Sequence, residues 1–452
     1  MASAAEQLAA NMNFATFQKA TELHKRLWFT LIALVVYRIG TYIPIPGIDP
    51  DQFAKLFEGQ SKGLLGMFDM FSGGAVQRMA IFSLNVMPYI SASIIVQLLG
   101  TVYPPWEKLR KEGGEAGRKQ LNQYTRYLTV VLAIFQSFGI AVGLSSTQGL
   151  VSQPGAFFIL STVATLTGGT MFLMWLGEQI TARGVGNGVS LIIFSGIVAR
   201  LPIAAAQLLS QARTGQISGF TLFAIAAVAV AIIVFIVFIE RSQRRILILY
   251  PKRQMGNRMF GGDTSILPLK INTAGVIPPI FASSLLSMPG MAVSFLAKAN
   301  LPNWAQWVPG VALQLQHGQP TFMLLYAVMI IFFSFFYTSI VFNPDEVAEN
   351  LRKYGANLPG IRPGKRTAEY LDQVLTRLTV LGAAYITLVC LLPEFLYGGG
   401  NTPTSGAYFG GTSILIVVTV TMDTVAQIQS HLLQHQYEGL IKKSKLRGGR
   451  NR

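Results

Sequence analysis

The chain has 452 residues, of which 51% are hydrophobic and only 12% are charged, and its mean hydropathy is +0.45. Soluble domains carry about 25% charged residues and disordered chains are poor in hydrophobic residues, so this composition excludes both classes. The net charge is +16, and the single cysteine, Cys390, excludes a disulfide framework or a thiolate metal cluster. A polytopic membrane protein remains, with its positive charge placed in particular loops.

Ten apolar stretches follow one another along the chain, and each is long enough for a transmembrane helix, which needs about 20 apolar residues. The short alternating segments typical of a membrane β-barrel do not occur in the sequence. We therefore predict an all-α polytopic membrane protein with ten transmembrane helices. The predicted spans 1 to 10 lie at about 26–43, 77–100, 125–144, 157–177, 188–208, 220–240, 271–291, 321–342, 374–395 and 411–429.

Basic residues are distributed unequally between the two sides of this predicted topology. The amino-terminal segment, the loops after spans 2, 4, 6 and 8 and the carboxyl-terminal tail hold 29 lysines and arginines, whereas the opposite loops hold 6. Because basic residues accumulate on the cytoplasmic side of membrane proteins, we expect both termini in the cytoplasm. We expect no removable signal peptide, since no short apolar region with a cleavage site precedes span 1.

A short apolar segment at about 63–74 lies between spans 1 and 2, on the predicted outer side, and has glycines at both ends. It is too short to cross a bilayer. Periodicity alone favours a static helix in the membrane interface. The alternative is a movable segment that folds back into a cavity of the protein.

One short internal repeat links the two halves of the chain. Residues 88–93 in span 2 (PYISAS) and residues 278–283 in span 7 (PPIFAS) agree at four of six positions, 190 residues apart. Five spans per half is an odd number, so the halves must cross the membrane in opposite orientations, a design that places a pathway at their interface. The prolines predict kinked helices, and the small residues predict tight packing.

The sequence lacks the motifs that carry catalysis, such as HExxH, GxSxG or a phosphate-binding P-loop. The glycine-rich residues 184–188 follow no predicted strand, so we interpret them as a tight cytoplasmic hairpin. His431 and His435 are four residues apart without a nearby third ligand, which favours a solvated helix face over a metal site. We therefore expect no enzymatic activity, no metal and no cofactor.

Three classes of membrane protein are compatible with ten spans. A secondary transporter, also built from inverted repeats, requires a polar or charged site near the midplane. Asp423 is the one clear acid inside a span, so no acidic relay crosses the membrane. An intramembrane enzyme requires paired catalytic groups. A pathway lined by aliphatic residues, which gates by shape and dewetting, is the third class.

Two predicted cytoplasmic loops, at about 240–271 and 343–376, are longer than a connection requires and are rich in basic residues. Loops of this length are often functional. Attraction to anionic lipid accounts for most such charge in membrane proteins. An acidic or RNA-rich cytoplasmic partner is the further interpretation.

Several motifs, in the same order along the chain, resemble the SecY family, the channel subunits of the bacterial Sec protein-translocation complex. They are MPYISASIIVQ at 87–97, GEQIT at 177–181, GNG at 186–188, FNP at 342–344 and PGIRPG at 359–364. The resemblance implies a clamshell of two inverted five-helix halves around a central hourglass pore. Unfolded proteins would pass through this pore or leave it sideways into lipid.

The resemblance also implies partners and a location. SecE and SecG complete the heterotrimer, the SecA ATPase or a translating ribosome drives transport, and SecDF and YidC are further partners. The clients are preproteins with signal sequences, and anionic lipids contact the cytoplasmic face. The implied location is the bacterial inner membrane. The expected organisation is a cytoplasmic segment at 1–25, an amino-terminal half at 26–210, a carboxyl-terminal half at 211–430 and a tail at 431–452.

Individual residues receive roles from the same resemblance. The pore ring is Val86, Ile90, Val189, Ile193, Ile280 and Ile416. The plug, at about 64–74, includes Leu64, Leu65, Met67, Phe68, Met70, Phe71, Ser72, Gly73 and Gly74. The lateral-gate positions, near the exit between spans 2/3 and 7/8, are Ser91, Gln97, Gln136 and Asn272. The positions for docking of SecA or the ribosome are Arg244, Arg245, Lys252, Arg253, Arg258, Arg362, Lys365 and Arg366.

Overall fold

The structure is a computed structural model that describes residues 21–49, 52–53, 69, 71–111, 113–145, 150–151, 153–215, 218–250, 253–255, 258–260, 264–296, 319–397 and 411–448. These residues are predominantly helical. The helices are α1 (Thr21–Gly40), α2 (Met87–Val102), α3 (Pro104–Lys111), α4 (Gly114–Ser145), α5 (Ala156–Arg183), α6 (Gly188–Arg213), α7 (Gly219–Arg241), α8 (Ile277–Leu296), α9 (Pro320–Val341), α10 (Pro344–Lys353), α11 (Lys365–Tyr397) and α12 (Gly411–Gly448).

A helix lies at each of the ten predicted spans, and the short helices α3 and α10 are additional. Among the described residues, seven helices are long and apolar enough to cross a membrane, and the apolar part of α2 and that of α8 are shorter. The most apolar is α7, in which only 11% of the membrane-length window is buried within the protein. The chain is therefore a multi-pass membrane protein.

The start of span 2 was predicted wrongly. We expected a helix from residue 77, whereas residues 73–86 form turns and the helix begins at Met87. Met79 and Asn85 in this stretch have φ angles of 46° and 49°, a conformation that ends regular helix for residues with a Cβ atom. The Ser83 hydroxyl donates to the Ala75 carbonyl at 3.1 Å, so a side chain bonds the backbone in place of helical partners.

The prolines of the internal repeat stand at helix starts and do not kink the spans, contrary to our expectation. Pro88 lies in the first turn of α2, and Pro278 and Pro279 lie in the first turn of α8. Proline is well tolerated there because first-turn amides have no partner within the helix. The two helices begin at Met87 and Ile277, which preserves the 190-residue separation of the repeat.

The described residues fall into two compact units. The first comprises the described parts of 1–203, 294–300 and 420–452, and the second comprises those of 204–293 and 301–419. A core cluster in the first unit joins the segments that flank α1 and α4 to α5, and includes Ile45, Leu144 and Leu166. A core cluster in the second unit packs the strands against α11, and includes Ile246 and Leu371.

Two antiparallel strand pairs follow α7, and the sequence did not predict them. Strand β1 (Gln243–Leu249) pairs with β4 (Thr264–Lys270), and β2 (Arg253–Met255) pairs with β3 (Arg258–Phe260). On β1, Ile246 and Ile248 are buried, whereas Leu247 and Leu249 are exposed. Because both faces carry aliphatic residues, the period-two pattern of a half-buried strand is hidden in the sequence.

The predicted tight hairpin at 184–188 is confirmed between α5 and α6. The Gly188 amide donates to the Thr181 hydroxyl at 2.9 Å, and the Gly186 amide donates to the Gln427 side-chain carbonyl at 2.8 Å. A Cβ atom at Gly188 would collide with the backbone of Gly177, so the two helices approach as closely as their backbones allow. This packing fixes where α6 begins.

Candidate functional site

The six candidate ring residues all lie at or near helix starts. In the first unit, Val86 immediately precedes α2, Ile90 lies in its first turn, and Val189 and Ile193 lie in the first two turns of α6. In the second unit, Ile280 is in the first turn of α8 and Ile416 in the second turn of α12. All are buried except Val189, which is half-buried. Ile90 and Ile280 are each the fourth residue of their helix, as the repeat predicts.

Only the end of the candidate plug is described, namely Phe71, Ser72, Gly73 and Gly74 together with Asp69. We call these five residues the plug end. Phe71, Ser72 and Asp69 are at most 2% exposed, so they are enclosed by protein. Leu64, Leu65, Met67, Phe68 and Met70 lie outside the described residues.

Backbone carbonyls of the plug end are held by side chains from two other parts of the first unit. The Tyr37 hydroxyl donates to the Ser72 carbonyl at 3.2 Å, and an Arg38 guanidinium nitrogen donates to the Gly73 carbonyl at 2.6 Å. The Asn85 amide donates to the Phe71 carbonyl at 2.7 Å. The left-handed backbone at Asn85 is therefore retained because its side chain is needed at this point.

An ion pair between Asp69 and Arg200 was not predicted from the sequence. The Asp69 side chain is 1% exposed and pairs with the Arg200 guanidinium on α6. The partners are 131 residues apart, so no local pattern joins them. The available signal was a single acid in an apolar segment and an arginine in the interior of an apolar helix, since such charges are paired when buried.

Three of the candidate gate residues lie in the first unit. Ser91 is buried on α2, and the Gln97 amide donates to the Ser93 hydroxyl at 3.1 Å. Among the described residues, no donor reaches the buried side-chain carbonyl oxygens of Gln97 or Gln136. A buried amide oxygen without a donor costs free energy in the folded protein.

The fourth gate candidate, Asn272, has a different local role. Its amide donates to a carboxylate oxygen of Glu240 at 2.6 Å, and its carbonyl accepts from the Gly275 amide at 3.1 Å. Glu240 is only 7% exposed at the end of α7. Asn272 thus ties the turn before α8 to the end of α7 within the second unit.

Replacing Asn272 by Leu is expected to lower the free energy of unfolding by about 1.5–3 kcal/mol, because the buried carboxylate of Glu240 loses a hydrogen-bond donor. The measurement is thermal unfolding of the purified chain in detergent, with a fall of several degrees in the midpoint. Thr273→Ala is the matched control, since the Thr273 hydroxyl bonds the Lys270 carbonyl at the surface. Equal midpoints for the two variants would contradict this role.

The two long basic loops are joined into one surface, a connection that the sequence analysis did not predict. Leu249 of β1 and Asn357 exchange two backbone hydrogen bonds, of 2.8 and 2.9 Å. Leu358 packs in the same cluster as Ile246. Arg244 and Arg245 on β1, and Arg362, Lys365 and Arg366 beyond Asn357, are exposed on this hairpin–loop surface.

The remaining docking candidates are partly described. Arg253 lies in β2 and Arg258 in β3, whereas Lys252 lies outside the described residues. Arg362 lies in a turn bounded by Gly360 and Gly364, whose φ angles are 75° and 104°. The Thr367 hydroxyl donates to the Arg362 carbonyl at 3.0 Å and fixes the turn. The exposed guanidinium therefore stands on a rigid support.

Comparisons with known proteins identify relatives over nearly the whole chain. The SecY family model matches residues 80–425. The protein translocase subunit SecY of Escherichia coli K12 is 54% identical over 430 residues, covering 94% of this chain and 96% of the relative. The Vibrio cholerae subunit is 53% identical over 429 residues, covering 95% and 96%.

Solved structures show the same fold. A protein conducting channel matches with a TM-score of 0.66 at 17% identity, covering 90% of this chain and 92% of that one. A channel from a canine ribosome-channel complex of the endoplasmic reticulum matches with a TM-score of 0.62, also at 17% identity and with the same coverage. On the extent of the family match and the identity to its members, this chain belongs to the SecY family of protein translocase subunits.

Proposed function

We propose that this chain is the central pore-forming subunit of a Sec translocase. It conducts unfolded preproteins across the bacterial inner membrane and releases transmembrane segments sideways into lipid. The observation that carries the proposal is the identity of 54% to a translocase subunit over 94% of the chain. Family membership thus extends over both compact units, and both supply candidate ring residues.

The ring residues suit this task chemically. Valine and isoleucine form no sequence-specific hydrogen bonds, so they can surround any polypeptide that passes. A narrow aliphatic constriction also excludes water and hydrated ions when no polypeptide occupies it. Val86, Ile90 and Ile280 also lie beside helix starts where proline restricts the local backbone.

The plug end supports a seal for this pore. Asp69 pairs with Arg200, and the backbone of Phe71 and Gly73 lies close to Gly196, so the plug end contacts α6, the helix that carries the candidates Val189 and Ile193. We assign the segment as the plug, and Ser91, Gln97, Gln136 and Asn272 as gate residues. In the assigned topology both termini are cytoplasmic, with the boundaries of the two halves at 26–210 and 211–430.

The hairpin–loop surface is assigned to cytoplasmic partners. Its exposed arginines and lysine project from a rigid support, which favours binding of an acidic protein face or of ribosomal RNA. The translating ribosome and SecA are the proposed partners there, and SecA supplies ATP hydrolysis because this chain is not itself an enzyme. SecE and SecG complete the complex, SecDF and YidC act with it, and anionic lipids contact the same side.

Reconstitution tests the proposed function. The chain is incorporated into liposomes with SecE and SecG, and SecA, ATP and a preprotein are added outside. We expect the preprotein to become resistant to added protease, and to remain sensitive when ATP is omitted. Uptake of a small solute without protection of the preprotein would instead identify a secondary transporter and contradict the proposal.

A further inference from the structure

The plug end is attached to α6 through one buried ion pair. Asp69 is fully buried. One of its carboxylate oxygens pairs with Arg200, and the other accepts from the backbone amide of Gln77 at 2.8 Å. Arg200 donates in addition to the Gln77 side-chain carbonyl at 3.0 Å. The buried carboxylate of Asp69 thus depends on Arg200 for its countercharge, whereas the Arg200 side chain is 28% exposed.

The ion pair lies on the same face of α6 as the candidate ring. Val189, Ile193, Gly196 and Arg200 follow one another at intervals of four, three and four residues, which is the spacing of one helix face. The ring residues occupy the start of this face, and Arg200 lies seven residues beyond Ile193, about 10 Å along the helix. The plug end therefore occupies the continuation of the ring-bearing face.

Gly196 provides the space for this contact. A Cβ atom at Gly196 would collide with the Phe71 carbonyl and would lie 3.2 Å from the Gly73 nitrogen. A Cβ atom at Gly73 would lie 2.9 Å from the Gly196 Cα atom. The backbone of the plug end thus packs directly against the backbone of α6 at Gly196. The attractive charge interaction between the plug end and α6 lies one turn further along the helix, at Arg200.

We propose that the Asp69–Arg200 pair is a latch that holds the plug end on α6 and sets the barrier to opening of the channel. Loss of the contact to Arg200 is costly while Asp69 stays in place, because its carboxylate is then buried without a countercharge. When the whole plug end leaves α6, by contrast, both charges become exposed to water together. The latch is therefore firm against partial movement and releasable by complete displacement. This inference rests on the proposed function and deepens it.

A thiol-accessibility experiment tests the latch without relying on transport. Cys390, the single cysteine, is first replaced by Ala, and Ser72, which is fully buried, is replaced by Cys. In the reconstituted complex without SecA, we measure the rate at which a membrane-impermeant maleimide labels this thiol. We expect Asp69→Asn and Arg200→Gln each to raise the rate at least ten-fold. The control is Arg213→Gln, an exposed arginine on the same helix.

Exchanging the charges provides the specific readout. The double variant with Asp69→Arg and Arg200→Asp is expected to recover at least half of the lost protection, whereas a merely structural site would not be rescued. If either single variant does not assemble, the neutral pair Asp69→Asn with Arg200→Gln, which leaves no unpaired buried charge, is expected to label ten-fold faster than the parent protein.

Two results would overturn the latch. One is an unchanged labelling rate in the single variants or in the neutral pair, and the other is an exchanged pair no better protected than the single variants. Protease protection of a preprotein by the parent protein is measured in the same vesicles. Its absence would count against the proposed function, whereas normal protection with unchanged labelling would count against the latch alone.

Discussion

The channel leaks ions at least ten-fold faster during transport when Ile90 and Ile193 are both replaced by Asn. The two side chains are buried at the starts of α2 and α6, and as isoleucines they give water no hydrogen-bond partner. Asparagine amides hydrate the constriction and remove the dewetting barrier to ions. The measurement is chloride conductance of vesicles in which a preprotein with a folded carboxyl-terminal domain has been arrested in the channel.

The matched control replaces the same two residues by Leu, which conserves volume and apolar character and is tolerated in packed sites. We expect its conductance to stay within about two-fold of the parent protein. Protease protection of the arrested preprotein verifies that each variant assembles and engages its client. Equal conductance in the Asn and Leu variants would show that the aliphatic residues do not form the seal.

Charge reversal at Arg362 reduces SecA-driven translocation at least ten-fold. This guanidinium is exposed on a turn fixed by Gly360, Gly364 and the Thr367 hydroxyl, so the reversed charge stays at the same place. Like charges brought together at an interface cost several kcal/mol, whereas a ten-fold loss of binding needs only about 1.4 kcal/mol. The measurement is the initial rate of preprotein protection in vesicles of Arg362→Glu at several SecA concentrations.

Lys119→Glu is the control for this prediction. Lys119 is exposed near the start of α4, on the same proposed side of the membrane, and belongs to the first unit, whereas the hairpin–loop surface belongs to the second. The initial rate of preprotein protection by the Lys119→Glu variant should remain within about two-fold of that of the parent protein. Co-purification with SecE and SecG should be unchanged for both variants. Equal losses in both would indicate a general electrostatic effect on the membrane surface in place of a docking residue.

Hydropathy located the helices because a bilayer demands long apolar stretches, and α7 is the clearest example. It misplaced the start of α2 because residues 79–86 are mostly apolar as well, and what prevents helix there is local bonding. Met79 and Asn85 adopt left-handed backbone, and the Asn85 amide is committed to the Phe71 carbonyl. This hydrogen bond depends on residues that the fold brings together, so a hydropathy profile does not predict it.

Motif resemblance named the ring, plug, gate and docking candidates, and sequence physics alone explained only their general chemistry. Neither approach predicted the ion pair of Asp69 with Arg200 or the backbone hydrogen bonds between Leu249 and Asn357. Each links residues that are more than 100 positions apart, and pairings of that kind follow from the packing of helices and strands. The buried contact of Glu240 with Asn272 was missed as well, although these residues are only 32 positions apart, because they lie in different elements, the end of α7 and the turn before α8.

Photo-crosslinking to an arrested preprotein tests the central claim, that polypeptide passes through this chain along the ring. A photoreactive amino acid is placed at Ile193, and in a matched variant at Phe223, which is 72% exposed on the apolar helix α7. The account predicts efficient crosslinks to the preprotein from position 193 and at least ten-fold fewer from position 223. A protected, arrested preprotein that crosslinks no better from 193 than from 223 would contradict it.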